Sequence, residues 1–178
     1  LNAAKSYYEE KHDRGSFIKD IISDNIMLGD IYMRAKELRV TADVPRGVFV
    51  IRSLKKTDSV PTDVVQSLFP DRQSDFVLGI GEGDVVLIRQ LSDGAGIREL
   101  NKVAASVEQT LRSGSEPTVV VGIGTVAHHL RDLAKSYKEA QIAIEVGKVF
   151  DTEKYIINYE NLGIGRLIYQ LPTTLCEM

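Results

Sequence analysis

The sequence predicts an α+β fold: a mixed sheet of about five strands with helices on its faces and further helices leading into it. Three observations predict it. Short β-branched runs alternate with amphipathic helical stripes along the chain. Two of the runs, "DFVLGI" and "DVVLIRQL", follow one another with only glycine and carboxylate residues between them, which is the signature of a hairpin. That hairpin, lying mid-chain, excludes a simple parallel doubly wound sheet.

The elements follow in order. Phe17, Ile18, Ile21 and Ile22, then Ile31, Ala35 and Leu38, form two stripes at helical spacing with a break near Ser23 to Asn25, so two N-terminal helices are expected. "RGVFVIRSL", bounded by Pro45 and Gly47, is a largely buried first strand. Pro61 and Pro70 bracket a short helix around Val64, Val65, Leu68 and Phe69. The hairpin turns at residues 81 to 83. A helix then carries Ile97, Leu100, Val103, Val107 and Leu111 on one face and stops at Gly114. "TVVVGIG" is the next buried strand. A helix over "VAHHLRDLAKSYKEAQIAIEVG", a short strand "KYIINY" and a last helix "ENLGIGRLIYQL" complete the order.

Composition bounds the function. The 178 residues carry a net charge of −3 with scattered lysines and arginines, which leaves no basic face for nucleic acid or an anionic membrane. No apolar run has the length of a membrane span and no signal pattern opens the chain, so a cytoplasmic location is expected and no membrane partner. The single cysteine, Cys176, cannot form an intrachain disulfide. Leu1 at the start and "LPTTLCEM" at the end suggest a piece of a longer polypeptide. The expected organisation is a linker and helices over 1–44, an α/β domain over 45–160, and a C-terminal helix over 161–178.

The stretch "GIGEGDVVLI", residues 79 to 88, sets glycines at alternate positions beside two carboxylates. A dinucleotide loop needs G-x-G-x-x-G at a strand-to-helix turn, and here the spacing differs and a strand follows. Its glycines turn the chain. "GIGTVAHHL" does pass from strand towards helix, but Ala127 stands at the third glycine position, so close helix packing is the better reading than phosphate binding. Gly163 and Gly165 allow the same explanation. His128 and His129, adjacent on a helix, diverge by about 100 degrees and do not face one metal, and His12 is distant in sequence. No nucleophile elbow, P-loop or zincin motif occurs, so neither catalytic residues, metal ligands nor a cofactor site is expected. Phe17, Ile18, Ile21 and Ile22 exceed what one small sheet face needs, making them candidates for self-association into a homodimer, unless they simply cover the sheet.

From Gly47 onward the layout resembles the GGDEF domain of diguanylate cyclases, with its mainly antiparallel sheet. More closely, Gly122 and Gly124, then Ser136, Tyr137, Glu139, Ala140 and Ala143, then Tyr159, Glu160, Leu162 and Gly163 resemble the GGDEF-like middle domain of bacterial transcription regulators of the carbohydrate diacid and purine catabolism type. The helices ending "RAKELRV" resemble that family's lead-in. The resemblance makes Gly81, Glu82, Gly83 and Asp84 a worn form of the GGDEF hairpin. It implies a noncatalytic regulatory and dimerisation domain that couples an upstream ligand sensor, whose effector stays unidentified, to a downstream helix-turn-helix. DNA would be reached only through that downstream domain. Cyclases of this fold hold Mg²⁺ with one acid on the first strand and another at the hairpin. Here the first strand offers Ile51, Arg52 and Ser53 instead. A degenerate cyclase-like domain that still binds a purine nucleotide is the alternative.

Overall fold

The computed structural model describes residues 13–149 and 154–162. Residues 13–22 are helical (α1), followed by α2 (Leu28–Glu37), β1 (Arg46–Ser53), α3 (Thr62–Leu68), β2 (Phe76–Ile80), β3 (Asp84–Gln90), α4 (Ile97–Thr110), β4 (Val119–Ile123), α5 (Leu133–Val149) and β5 (Ile156–Asn158). The sheet has the order β2-β3-β1-β4-β5; every neighbouring pair is antiparallel except β4 and β5, which are parallel. The fold is thus α+β with a mixed, mostly antiparallel five-stranded sheet. β1 lies at its centre, which explains an uninterrupted run of buried residues from Arg46 to Ile51.

Strand alternation divides the core into two layers. Val48 and Val50 of β1, Phe76 and Leu78 of β2, and Val86 and Ile88 of β3 meet α1, α2 and α5 on one face. Phe49, Ile51, Val85, Leu87, Val121 and Ile123 meet α3 and α4 on the other. The break between the first two helices falls where the spacing placed it: Asp24 adopts a positive φ of 56° and the Asn25 amide donates to the Asp20 carbonyl at 2.9 Å. Phe17, Ile18, Ile21 and Ile22 are at most 2% exposed and belong to the first layer, so these side chains cover the sheet of their own chain. As placed, they offer no surface to a second copy.

Two elements begin or end elsewhere than the sequence pattern suggests. α4 stops at Thr110, and Gly114 (φ +64°) instead turns a tight loop closed by reciprocal 3.0 Å bonds between Ser113 and Glu116. The helix expected from Val126 begins only at Leu133. Before it the chain runs on extended, Ala127 bridging Arg46 in both directions, and a short 3-10 turn spans Leu130–Asp132. Strand-like hydrogen bonding to the start of β1 outcompetes the helical pattern there. The expected C-terminal helix, Cys176, His12, Gly163 and Gly165 lie outside the described residues.

Candidate functional site

The hairpin is built as its sequence requires. Ile80 pairs with Asp84 across a three-residue turn, and Gly81 takes φ +62°, a conformation that costs a residue bearing a Cβ. Gly83 serves a different purpose. A Cβ there would stand 3.3 Å from Cα and Cβ of Ser59, because the loop after β1 packs against the turn and the Val60 amide donates to the Gly83 carbonyl at 3.0 Å. Hairpin turn and post-β1 loop therefore form one rim.

On that rim the β1 cation meets the hairpin carboxylate. Arg52 Nε donates to both carboxylate oxygens of Asp84 at 3.2 Å, and Nη2 donates to Oδ2 at 3.0 Å. Its Nη1 donates to Glu145 Oε1 of α5 at 3.0 Å, an oxygen that Lys148 Nζ also approaches at 3.4 Å. Hydrogen bonding to Asp84, against some loss from burial, holds the guanidinium pKa above its ordinary value. Asp84 is thus engaged on both oxygens by the guanidinium. Glu82, by contrast, is exposed and has no ion-pair partner among the described residues.

Behind the rim opens a cavity of about 840 Å³ between the hairpin turn, the post-β1 loop, α5 and the start of β5. Lys55, Lys56, Lys148 and Lys154 ring it, with Tyr137 and Tyr155 on its walls. Burial, with the Asp84 charge adding and Arg52 opposing, raises the Tyr137 pKa, and its hydroxyl accepts from Gln141 Nε2 at 3.3 Å. The groove therefore combines cations and aromatic surface with the carboxylates of Asp58, Glu82 and Asp84. Among the described residues no three His, Cys, Asp or Glu side chains cluster closely enough to hold a metal ion.

Hairpin residues Gly81, Glu82, Gly83 and Asp84 all line this cavity, together with Arg52. Gln141, Glu145 and Lys148 escaped the sequence reading, and Tyr137 entered it only as a residue of the resemblance, not of a site. Their spacing of three and four along α5 was the available signal, since it puts a polar strip on one helix face beside the apolar one.

The other motif residues build a packed seam. α5 crosses β4 so closely that a Cβ on Gly122 would fall on the Ala140 carbonyl, and one on Gly124 on the Ser136 carbonyl and hydroxyl. Ser136 Oγ donates to the Thr125 carbonyl at 2.7 Å, while buried Glu139 accepts from the Thr125 amide at 3.2 Å and from its hydroxyl at 2.5 Å. The amide that a phosphate loop would aim at a ligand is here satisfied by a carboxylate. Neither histidine lies on a helix; His129 Nδ1 pairs with Asp43 Oδ1 at 2.7 Å, tying the lead-in loop to the segment before α5.

Residues 24–146 match the family model described as a GGDEF-like domain. No curated protein matches the chain. Among the described residues no helix is long and apolar enough to cross a membrane.

Proposed function

This chain belongs to the GGDEF-like domain family, and we propose that it is a noncatalytic regulatory module of a bacterial transcription regulator of the carbohydrate diacid type. In this reading it couples an upstream ligand sensor to a downstream DNA-binding domain in the cytoplasm and contributes to self-association. The observation that carries it is the Arg52–Asp84–Glu145 cluster. Where a cyclase needs carboxylates free to bind Mg²⁺, a guanidinium occupies the hairpin acid from the first strand. Support for the family type comes from the seam, whose Gly122, Gly124, Ser136, Glu139 and Ala140 are the residues of the resemblance. For self-association, Met27, Leu28, Tyr32 and Met33 on and beside α2 are exposed large apolar side chains, unlike the buried row on α1.

Incubation with GTP and Mg²⁺ or Mn²⁺, followed by chromatography, tests the central claim. No cyclic dinucleotide is expected. Product that disappears in Asp84→Ala would overturn it. Light scattering tests self-association: a dimer that Met33→Glu weakens is expected, and a monomer at high concentration counts against it.

The lysine-ringed cavity favours one second reading, a purine nucleotide held without turnover. Saturable GTP binding in equilibrium dialysis without metal, weakened by Lys148→Ala, would support it.

A further inference from the structure

At the opposite end of β1 from the groove, the same face of the strand carries a second arginine in a different situation. Arg46 opens the strand and is 2% exposed. Its Nη2 donates to the Thr41 carbonyl at 2.5 Å, but Nε and Nη1 are buried with no acceptor among the described residues. Arg14 of α1, 6% exposed, is its charged neighbour. Both Arg14 terminal nitrogens are used, by the carbonyls of Arg72 (3.3 Å) and Gln73 (3.0 Å) and by Gln73 Oε1 (3.2 Å), while its Nε is also buried without a partner.

The nearby acids do not answer these cations. Asp75 is buried, yet its carboxylate accepts from Arg89 Nη1 at 2.9 Å and from the Gln90 amide at 3.1 Å. Asp43 takes His129. Among the described residues, two guanidinium groups are therefore withdrawn from water without a counter-charge, and three donor groups lack acceptors. Both conditions are costly enough that native proteins rarely leave them uncorrected. Burial, with the charge of Arg14 adding, pushes the Arg46 pKa down to about 10, which still leaves it protonated at neutral pH.

We infer that Arg46, with Arg14 beside it, is the binding site for a small oxyanion, a carboxylate or a phosphate, at the junction of the lead-in helices and the sheet. A partner that supplies acceptors and negative charge together answers both deficits, which a cation does not and a neutral acceptor does only in part. The short loop over residues 41–45 reaches Arg46 through the Thr41 carbonyl. That loop is held by the Thr41 contact, the His129–Asp43 pair and a 3.0 Å bond from the Leu130 amide to the Ala42 carbonyl. Thr41 and Asp43 are exposed, so the loop that contacts Arg46 also meets solvent. A bound oxyanion would clamp α1 to the start of β1. The inference is independent of the regulatory reading and of the hairpin groove.

The test uses the whole chain, titrated with inorganic phosphate and, separately, malonate at constant ionic strength set with chloride. The unfolding midpoint is expected to rise and saturate with one or both, and which one distinguishes a phosphate from a carboxylate site. Arg46→Met should lose the rise while remaining at least as stable as the native protein in chloride alone, because it removes a buried charge. Calorimetry with the same probes should give saturable binding to the native protein, about tenfold or more weaker in Arg46→Lys, which keeps charge but loses donors. Absence of saturable binding by either probe overturns the inference. So does an equal rise in Arg46→Met, which would mark a general salt effect.

Discussion

The seam between β4 and α5 and the groove at the hairpin turn are both made from motif residues, yet they obey different physics. In the seam, glycines bring helix backbone onto strand backbone, and the polar groups of Ser136, Glu139 and Thr125 satisfy one another in a nearly dry space. In the groove, Arg52, Asp84 and Glu145 pair at 3.0–3.2 Å but keep 23%, 24% and 46% of their side-chain surface. The first should fail when an atom is added or an acceptor removed. The second should tolerate the same operations at little cost to stability. Position in the fold, rather than residue type, separates a packed motif from a solvated one here.

The largest effect is expected where there is least room. Gly122→Ala puts a methyl group into the Ala140 carbonyl, backbone that cannot swing away, so α5 must move off the sheet. A loss of about 3 kcal/mol in urea unfolding is expected, at the upper end of what overpacking costs. A loss below about 0.5 kcal/mol would mean that the seam is as forgiving as the groove, within the range of surface substitutions.

Glu139→Ala comes next. It removes the acceptor of both the Thr125 amide and hydroxyl at a residue 7% exposed. About 2 kcal/mol is expected for leaving donors unsatisfied, with Glu139→Gln recovering part because its amide oxygen still accepts. Hydrogen exchange should show faster exchange at the Thr125 amide in the alanine variant. Unchanged protection would place that amide in water and weaken the contrast.

The hairpin supplies a glycine of the other kind. At Gly81 nothing lies within 4 Å of an added Cβ, so Gly81→Ala meets only the torsional cost of φ +62°. About 1 kcal/mol is expected, with Gly81→Asn milder because asparagine tolerates that region better. Circular dichroism melts of the two variants would read the difference. Similar large losses in both would mean a packing constraint at the turn after all.

Much of this was legible in the sequence. Strand alternation, the proline and glycine boundaries and the Gly81–Glu82–Gly83 turn are local, and local signals place β1, β2, β3 and the break at Asp24. What was not legible is non-local. The Phe17, Ile18, Ile21 and Ile22 stripe looks excessive only until α1 is seen to share a sheet face with α2 and α5. The late start of α5 depends on Ala127 bonding to Arg46, 81 residues earlier in the chain, a competition that no helical pattern reports. The groove followed the same rule. Arg52 was visible as a cation in place of an acid, but its second partner, Glu145, is 93 residues away.

That pair also provides the smallest and most diagnostic effect. Arg52 bonds Asp84 through two nitrogens, a geometry that in a dry interior would couple the residues strongly, and hydrogen bonding to Asp84 does raise its pKa. Solvent reaches both side chains, however, and Lys148 competes for Glu145, so much of the attraction is screened and the charges keep part of their hydration. A double-mutant cycle with Arg52→Gln and Asp84→Asn should give a coupling of about 0.5–1 kcal/mol. It should shrink as salt is raised towards 1 M, where the screening length falls to about 3 Å. A coupling of 3 kcal/mol or more, insensitive to salt, would place the cluster in the same class as the seam and make it a structural clasp. A small, screened coupling instead describes a cation that an anionic ligand can draw away from Asp84 without unfolding the hairpin.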